Sequence, residues 1–173
     1  MINSILNRYG KAQGLTPEEI MASGQQMYSE LSAETKEFFD FMVEYDLFDL
    51  ESKPGKRPGG YCTSLPAYKA PFIFSNFNGT SGDVDVLTHE AGHAFADFRA
   101  VRKGYIRALQ SPTMESCECH SMSMEFFSWP WAEGFFGEDT RKFLFSHLSG
   151  AITFIPYGTM VDHYQHIVYE KPE

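Results

Sequence analysis

The stretch His89-Glu90-Ala91-Gly92-His93 decides how this chain folds and what chemistry it can support. Two histidines four positions apart lie on one face of an α-helix, so both imidazoles can reach a single metal ion. Glu90 is rotated by about 100° from His89 on such a helix, which keeps it out of the ligand pair and close to a water at the metal. The spacing predicts a catalytic metal site, and the alternative is an exposed helix with two incidental histidines.

The residues around this motif predict one amphipathic helix from Ser81 to Gly104. Basic Arg102 and Lys103 fall in its last turn, and Gly104 is typical of the position just beyond a helix end. Its apolar face follows helical spacing and comprises Val84, Leu87, Ala91, Ala94, Phe98 and Val101. The motif therefore lies in the middle of a helix, as metal binding requires.

A second helix is predicted from Ser111 to Pro130. Ser111 is the expected cap, Pro112 the first helical residue and Pro130 the stop. The segment is apolar and rich in methionine and phenylalanine, yet it contains three glutamates. Carboxylates in such a segment indicate a function.

These glutamates are candidate metal ligands. A catalytic zinc takes three protein ligands and leaves a fourth position open, and two histidines with one carboxylate are a common set. Glu118 follows His93 by 25 residues, enough for a turn and a return helix, and Glu115 is the alternative ligand. Glu125, two turns beyond Glu118, is suited to orient a ligand through a hydrogen bond. Asp97, one turn after His93, is a second candidate for that task and could equally face solvent.

These residues resemble the thimet oligopeptidase and oligoendopeptidase F family of zinc metallopeptidases. The shared pattern is HExGH at 89–93, a glutamate 25 residues later at Glu118, and another seven residues on at Glu125. The segments HEAGHAF and MESCECHSMSMEFFSWPW are similar to the bacterial oligoendopeptidase F branch in particular. The resemblance implies short peptides as substrates, Glu90 as general base, and one zinc ion per chain held by His89, His93 and Glu118.

The predicted fold is mainly α, with a zincin-like HExxH helix packed on the glutamate-bearing helix. A small β-hairpin or short sheet is expected before the zinc helix. The apolar run Phe72 to Phe77 is the predicted strand, and in zinc peptidases of this type such a strand pairs with the substrate backbone. The alternative is a buried hairpin strand without ligand contact.

The chain has 173 residues, which is short for this family. The resemblance implies that a histidine and tyrosine segment, more than a hundred residues beyond the zinc helix, stabilises the oxyanion of the intermediate. Because 80 residues follow His93, we expect a truncated catalytic core that lacks this segment. We expect a helix to restart after Pro156. It contains four side chains that could donate hydrogen bonds to the oxyanion or could simply pack: Tyr157, His163, Tyr164 and His166.

Two other functions remain open at this point. One is a zinc-binding chain without turnover, since the oxyanion donors are expected to be missing. The other is a different metal hydrolase built on the same helix motif. Apolar faces exposed by truncation would also favour a homo-oligomer.

Composition indicates one domain over 1–173, with an N-terminal helical part (1–51) and a zinc-binding part (59–173). In the first part, Thr16-Pro17-Glu18-Glu19 predicts a capped helix start, and a second helix follows Ser32. A net charge of −9 argues against nucleic-acid binding. No apolar run reaches the roughly 18 residues of a membrane span, and Met1 to Gly10 lacks a signal-peptide core, so a cytoplasmic location is expected.

The remaining cysteines and histidines are assigned no catalytic role. Three cysteines, an odd number, predict reduced and partly buried thiols rather than a disulfide framework. His120 and His147 are predicted to be packed or surface histidines.

Overall fold

The computed structural model describes residues 15–171, apart from the side chains of Arg107, Met114 and Glu115. The segment Met1 to Gly10, used above for the signal-peptide argument, lies outside the described residues. In the described part the strands are β1 (Phe48–Glu51), β2 (Tyr61–Leu65) and β3 (Ala70–Phe77). The α-helices are α1 (Pro17–Leu31), α2 (Ala33–Glu44), α3 (Ser81–Arg102), α4 (Met114–Phe127), α5 (Ala132–Phe136) and α6 (Thr140–Glu170). Short 3₁₀ segments cover Arg107–Leu109, Trp129–Trp131 and Gly137–Asp139.

The predicted capping of α1 is confirmed, and α2 begins directly after Ser32, as expected. The Thr16 hydroxyl accepts a hydrogen bond from the Glu19 N–H at 3.3 Å, and the Glu19 carboxylate accepts one from the Thr16 N–H at 2.8 Å. Ser32 ends α1 and caps α2 in the same reciprocal way with Thr35. These side chains satisfy backbone donors that have no partner within the helix, so both starts are fixed locally.

A three-stranded sheet precedes the zinc-motif helix, as expected, but its order corrects one prediction. The order is β1-β3-β2, with β1 parallel and β2 antiparallel to β3. The predicted Phe72 to Phe77 strand is β3, and both of its edges are already paired. It therefore cannot add a substrate strand, and the unpaired edges belong to β1 and β2.

The helix that contains the motif is confirmed as predicted. It spans Ser81–Arg102, and Gly104 follows with φ +70°, a conformation that glycine adopts without steric cost. The expected apolar face is buried against the core, apart from the partly buried Val101. Residues Val84, Leu87, Ala91, Ala94 and Phe98 are at most 2 % exposed.

The boundaries predicted for the next helix are wrong by a few residues. Ser111 and Pro112 belong to the connection from α3, and Thr113 takes the cap position because its backbone is extended while Met114 is helical. The helix ends at Phe127, and Pro130 lies within the following 3₁₀ turn.

One long helix closes the described chain. The predicted restart after Pro156 is wrong, because α6 continues through this proline as a single helix of 31 residues. The missing N–H of Pro156 costs one helical hydrogen bond, and the surrounding turns are exposed, so water can solvate the free carbonyl. Exposed apolar side chains, among them Ile155 and Met160, cover this part of α6. Self-association through such a face stays a prediction.

No helix among residues 15–171 combines the length and the apolar character that crossing a bilayer would demand. Buried apolar side chains form one core cluster that extends from Ile20 on α1 to Phe143 on α6. The metal-motif helix α3 contributes to this cluster and packs on α4.

Gly92 sets the distance between α3 and α4. A Cβ at this position would lie 2.6 Å from the Ser121 Cα, 2.9 Å from the His120 carbonyl oxygen and 3.1 Å from the Met124 Cβ. The two nearest atoms belong to the backbone of α4, which cannot rotate away as a side chain can. A residue larger than glycine must therefore push the helices apart.

Replacement Gly92→Ala is expected to lower the free energy of unfolding by about 1 to 3 kcal/mol, the usual cost of overpacking. The matched control is Gly134→Ala on α5, where an added Cβ meets no atom within 4 Å and the change favours helix formation. Chemical denaturation of the three proteins measures the effect. Equal stability of Gly92→Ala and the parent chain would contradict this account of the contact.

Candidate metal centre

Three side chains converge on one point between α3 and α4. His89 and His93 on α3 and Glu118 on α4 each offer a ligand atom, and these atoms lie within 4.8 Å of one another. Glu118 Oε2 is 3.0 Å from His89 Nε2 and 3.5 Å from His93 Nε2. Two ligands with bonds of about 2.0 to 2.1 Å to a tetrahedral zinc are separated by about 3.3 Å. The donor set and its spacing fit a zinc ion.

The Glu118 carboxylate is held by its own helix. Ser121 Oγ, one turn further along α4, donates a hydrogen bond to Glu118 Oε2 at 2.7 Å. Partial burial raises the pKa of Glu118, but this hydrogen bond, the Cys117 thiol and the nearby histidines outweigh that effect and hold the pKa below its ordinary value. The carboxylate is therefore ionised at neutral pH, as a metal ligand must be.

The second ring nitrogen of His89 contacts Glu125, the partner expected from the sequence. His89 Nδ1 and Glu125 Oε1 are 2.6 Å apart. Glu125 also contacts His147 on α6, with 2.7 Å between Oε2 and the His147 Nε2. Burial would raise the pKa of Glu125, but the hydrogen bonds from the two histidines lower it to about 2. The hydrogen bond to Glu125 in turn raises the pKa of His89 above its ordinary value.

The second ring nitrogen of His93 contacts a residue that the sequence did not single out. His93 Nδ1 is 3.2 Å from His120 Nε2. Asp97 accepts a hydrogen bond at 3.0 Å from the hydroxyl of Ser64 on β2. Among residues 15–171, Asp97 forms no hydrogen bond with either candidate histidine ligand.

Glu90 faces the strand β2 beside the candidate ligands. Its carboxylate accepts a hydrogen bond from the backbone N–H of Cys62, and burial raises the pKa of Glu90 above its ordinary value. Burial, together with the charges of Glu90 and Asp97, raises the pKa of the Cys62 thiol to about 12. Cys62 is therefore a neutral thiol, and Cys62, Cys117 and Cys119 form no disulfide in the described structure.

A groove of about 320 Å³ runs between β2 and the connection to α4, next to the candidate ligands. Its walls include Ser64 from β2, His93 and Asp97 from α3, and Gln110 and Glu118 from the opposite side. The groove is open to solvent. It gives an external molecule access to the convergence point.

The four candidate oxyanion residues lie elsewhere in the described structure. All four are exposed on α6: Tyr157, His163, Tyr164 and His166. In the part of the chain that the structure covers, none of them forms a hydrogen bond or a ring contact with His89, His93 or Glu118. The alternative ligand Glu115 has a side chain outside the described set.

His120 and His147 are the residues that sequence reasoning missed. His120 contacts the candidate ligand His93, and His147 contacts Glu125, which orients His89. Both were expected to be ordinary packed or surface histidines. A signal existed for His147, because a buried Glu125 needs more donors than His89 alone supplies. No sequence pattern predicted how α6 packs against α4, and this packing brings His147 to Glu125.

The HExxH helix, packed on a glutamate-bearing helix after a short sheet, defines a zincin-like class of protein. The model of peptidase family M3 matches residues 14–172, and the chain belongs to this family. Among curated proteins, none matches this chain.

Solved structures extend this finding. A crystal structure described as oligoendopeptidase F, from Bacillus anthracis str. Ames, is 62 % identical in sequence to this chain and superimposes with a TM-score of 0.85. The match covers 92 % of this chain and 29 % of that one. PZ peptidase A, solved with an inhibitor, is 57 % identical to this chain with a TM-score of 0.84. The match covers 91 % of this chain and 28 % of that one. A structure from Chlamydophila abortus, described as a peptidase, shares the fold with a TM-score of 0.58. It is 21 % identical, and the match covers 67 % of this chain and 19 % of that one. The chain thus spans less than a third of the length of these relatives.

The low pKa of Glu125 predicts a specific loss of stability in acid. Because the folded pKa of about 2 lies below the ordinary 4.5, Glu125 stabilises the fold above pH 4.5, and this contribution is lost as the pH falls towards 2. This contribution to the free energy of unfolding is about 2 to 3 kcal/mol. Unfolding of the metal-free chain between pH 5 and 2 should therefore be less pH-dependent in Glu125→Gln than in the parent.

The control for this experiment is Glu133→Gln, which makes the same chemical change at an exposed position on α5. Its stability should follow the parent chain at every pH. If Glu125→Gln also follows the parent, the hydrogen bonds to the two histidines do not favour the ionised carboxylate.

Proposed function

We propose that this chain is the core of a zinc-dependent endopeptidase that hydrolyses short peptides. One observation carries the proposal: three donor atoms from His89, His93 and Glu118 converge at zinc-ligand spacing, with Glu90 beside them. Membership of peptidase family M3 and the similarity to oligoendopeptidase F support peptide hydrolysis as the reaction. Short peptides are proposed as substrates of this chain, because it spans less than a third of the length of those relatives.

The proposed ligands suit a catalytic site better than a structural one. Structural zinc sites surround the ion with four protein ligands, whereas catalytic sites use three and leave one position free. Within the described residues, the convergent group has three members, and the groove beside it leaves access from outside. Zinc bound there would supply Lewis-acid chemistry, polarising the scissile carbonyl and making water more acidic.

In this mechanism Glu90 transfers the proton. Its carboxylate takes a proton from the attacking water and later delivers it to the leaving amine. Burial raises the pKa of Glu90, which brings it nearer to neutral pH and suits a group that must both accept and release a proton. The Cys62 N–H holds the carboxylate in place without competing for the proton.

The free edge of β2 is the proposed support for the peptide backbone. Cys62 pairs in register with Ile73, whose N–H donates to the Leu47 carbonyl on the β1 side. Backbone groups of Cys62 therefore point away from β3, and by strand alternation those of Ser64 do the same. Ser64 borders the groove, so an extended peptide can pair with it there.

A zinc-binding chain without turnover is the second candidate, and one observation favours it. The tyrosine and histidine side chains considered for the oxyanion, from Tyr157 to His166, are exposed on α6, and within the described residues they form no hydrogen bond or ring contact with the proposed ligands. Oxyanion donors are worth several kcal/mol of transition-state stabilisation. A chain without them would bind zinc and cleave peptides very slowly.

Zinc content and cleavage of a quenched fluorescent peptide library together test the proposal. The parent chain should bind one zinc ion and cleave peptides. Glu90→Gln should keep the zinc and lose about 10²- to 10⁴-fold in rate, as expected for loss of a general base. Glu118→Gln should bind zinc more weakly, because a neutral amide replaces a carboxylate ligand.

Glu133→Gln serves again as the control and should match the parent in both measurements. One zinc without cleavage in the parent would favour the second candidate. Absence of zinc from a folded parent chain would overturn both.

A further inference from the structure

We propose that Trp129 and His147 position the zinc ligand His89 by fixing the proton positions along a chain of hydrogen bonds through Glu125. This inference rests on the proposed function, since it concerns the same metal site. It assigns a role to two residues outside the ligand set, one of them a tryptophan whose indole N–H contacts His147 rather than a candidate ligand. Both are positioning residues rather than catalytic ones.

The four side chains form a continuous series from α6 and the 3₁₀ turn to the metal centre. Trp129 Nε1 lies 3.2 Å from His147 Nδ1, and His147 Nε2 lies 2.7 Å from Glu125 Oε2. Glu125 Oε1 lies 2.6 Å from His89 Nδ1. The other nitrogen of His89 then faces Glu118, where the metal is proposed to bind.

The direction of each hydrogen bond follows from the chemistry of the groups. An indole N–H can only donate, so His147 Nδ1 accepts from Trp129 and the ring carries its proton on Nε2. That proton is donated to Glu125. An ionised carboxylate only accepts, so Glu125 receives the second bond from the Nδ1–H of His89. His89 is thereby held with a free lone pair on Nε2, the form that binds a metal.

Burial increases the cost of losing any of these hydrogen bonds. The side chains of His147 and Glu125 are 9 % and 15 % exposed. The rings of Phe126 and Phe143 lie against His147, with centroids 4.9 Å and 5.6 Å away. A carboxylate in such surroundings needs a donor for each oxygen.

A second carboxylate makes the His147 donor more important. Asp85 on α3 lines the same cavity of about 340 Å³ as Glu125 and His147. Without the His147 N–H, Glu125 Oε2 would face this cavity and Asp85 with no donor. Glu125 would then be free to turn away from His89 towards solvent, and the ring of His89 would lose its fixed orientation.

Substitutions at His147 separate positioning from simple packing. His147→Gln places an amide N–H donor near the position of Nε2, whereas His147→Leu keeps comparable volume and removes the donor. Zinc affinity of the 173-residue chain is measured by competition with a chromogenic chelator. We expect roughly 10- to 100-fold weaker binding for His147→Leu, the range typical of lost outer-shell partners, and recovery of most of that loss in His147→Gln.

Substitutions of the two tryptophans form a matched pair. Trp129→Phe removes the donor to His147 and keeps an aromatic ring. Trp131→Phe removes an indole N–H that instead donates at the surface to Glu30. We expect weaker zinc binding for Trp129→Phe and unchanged binding for Trp131→Phe.

The proton on His147 is observed directly by ¹⁵N NMR of histidine-labelled, metal-free chain. The parent should show His147 protonated on Nε2, and Trp129→Phe should show a mixture of the two tautomers. This readout needs neither zinc nor activity, so it tests the hydrogen-bond chain even if the parent binds no zinc and the proposed function fails. His147 protonated on Nδ1 in the parent, or parent-like zinc affinity in a folded His147→Leu, would overturn the inference.

Discussion

The contact between α3 and α4 at Gly92 is the constraint on which the metal centre depends. Backbone atoms of α4 lie where a side chain at position 92 would be, so the helices approach more closely than any larger residue allows. This approach brings Glu118 to hydrogen-bonding distance of His89 and near to His93. The glycine between the two histidines therefore acts through packing rather than through backbone flexibility.

Around this contact the protein concentrates ionisable groups in partly buried positions. The charges of the candidate ligands and their partners compensate one another: Glu118 lies between His89 and His93, and Glu125 lies between His89 and His147. Each carboxylate has at least one firm donor, Ser121 for Glu118 and His147 for Glu125. Such a network fixes rotamers and protonation states before a metal binds, and this reduces the reorganisation that binding requires.

The short sheet completes the arrangement from the other side. Its strand β2 provides the N–H that holds Glu90 and an unpaired edge along the groove. β3 fills the centre of the sheet with alternately buried side chains and cannot serve a substrate. The sheet thus divides two tasks, with one strand anchoring the fold and its neighbour available for recognition.

Local features of this protein follow from its sequence alone. Thr16 and Ser32 fixed helix starts, because capping involves neighbours three residues away. The spacing of His89 and His93 placed both imidazoles on one helical face, and the resemblance to a known family singled out Glu118 and Glu125. Three other features emerge only from the tertiary fold: the central position of β3, the contact of His120 with His93, and the hydrogen bonds from Trp129 to His147 and from His147 to Glu125. These contacts depend on how helices and strands align across the core, and that alignment results from the packing of many side chains that no single spacing in the sequence records.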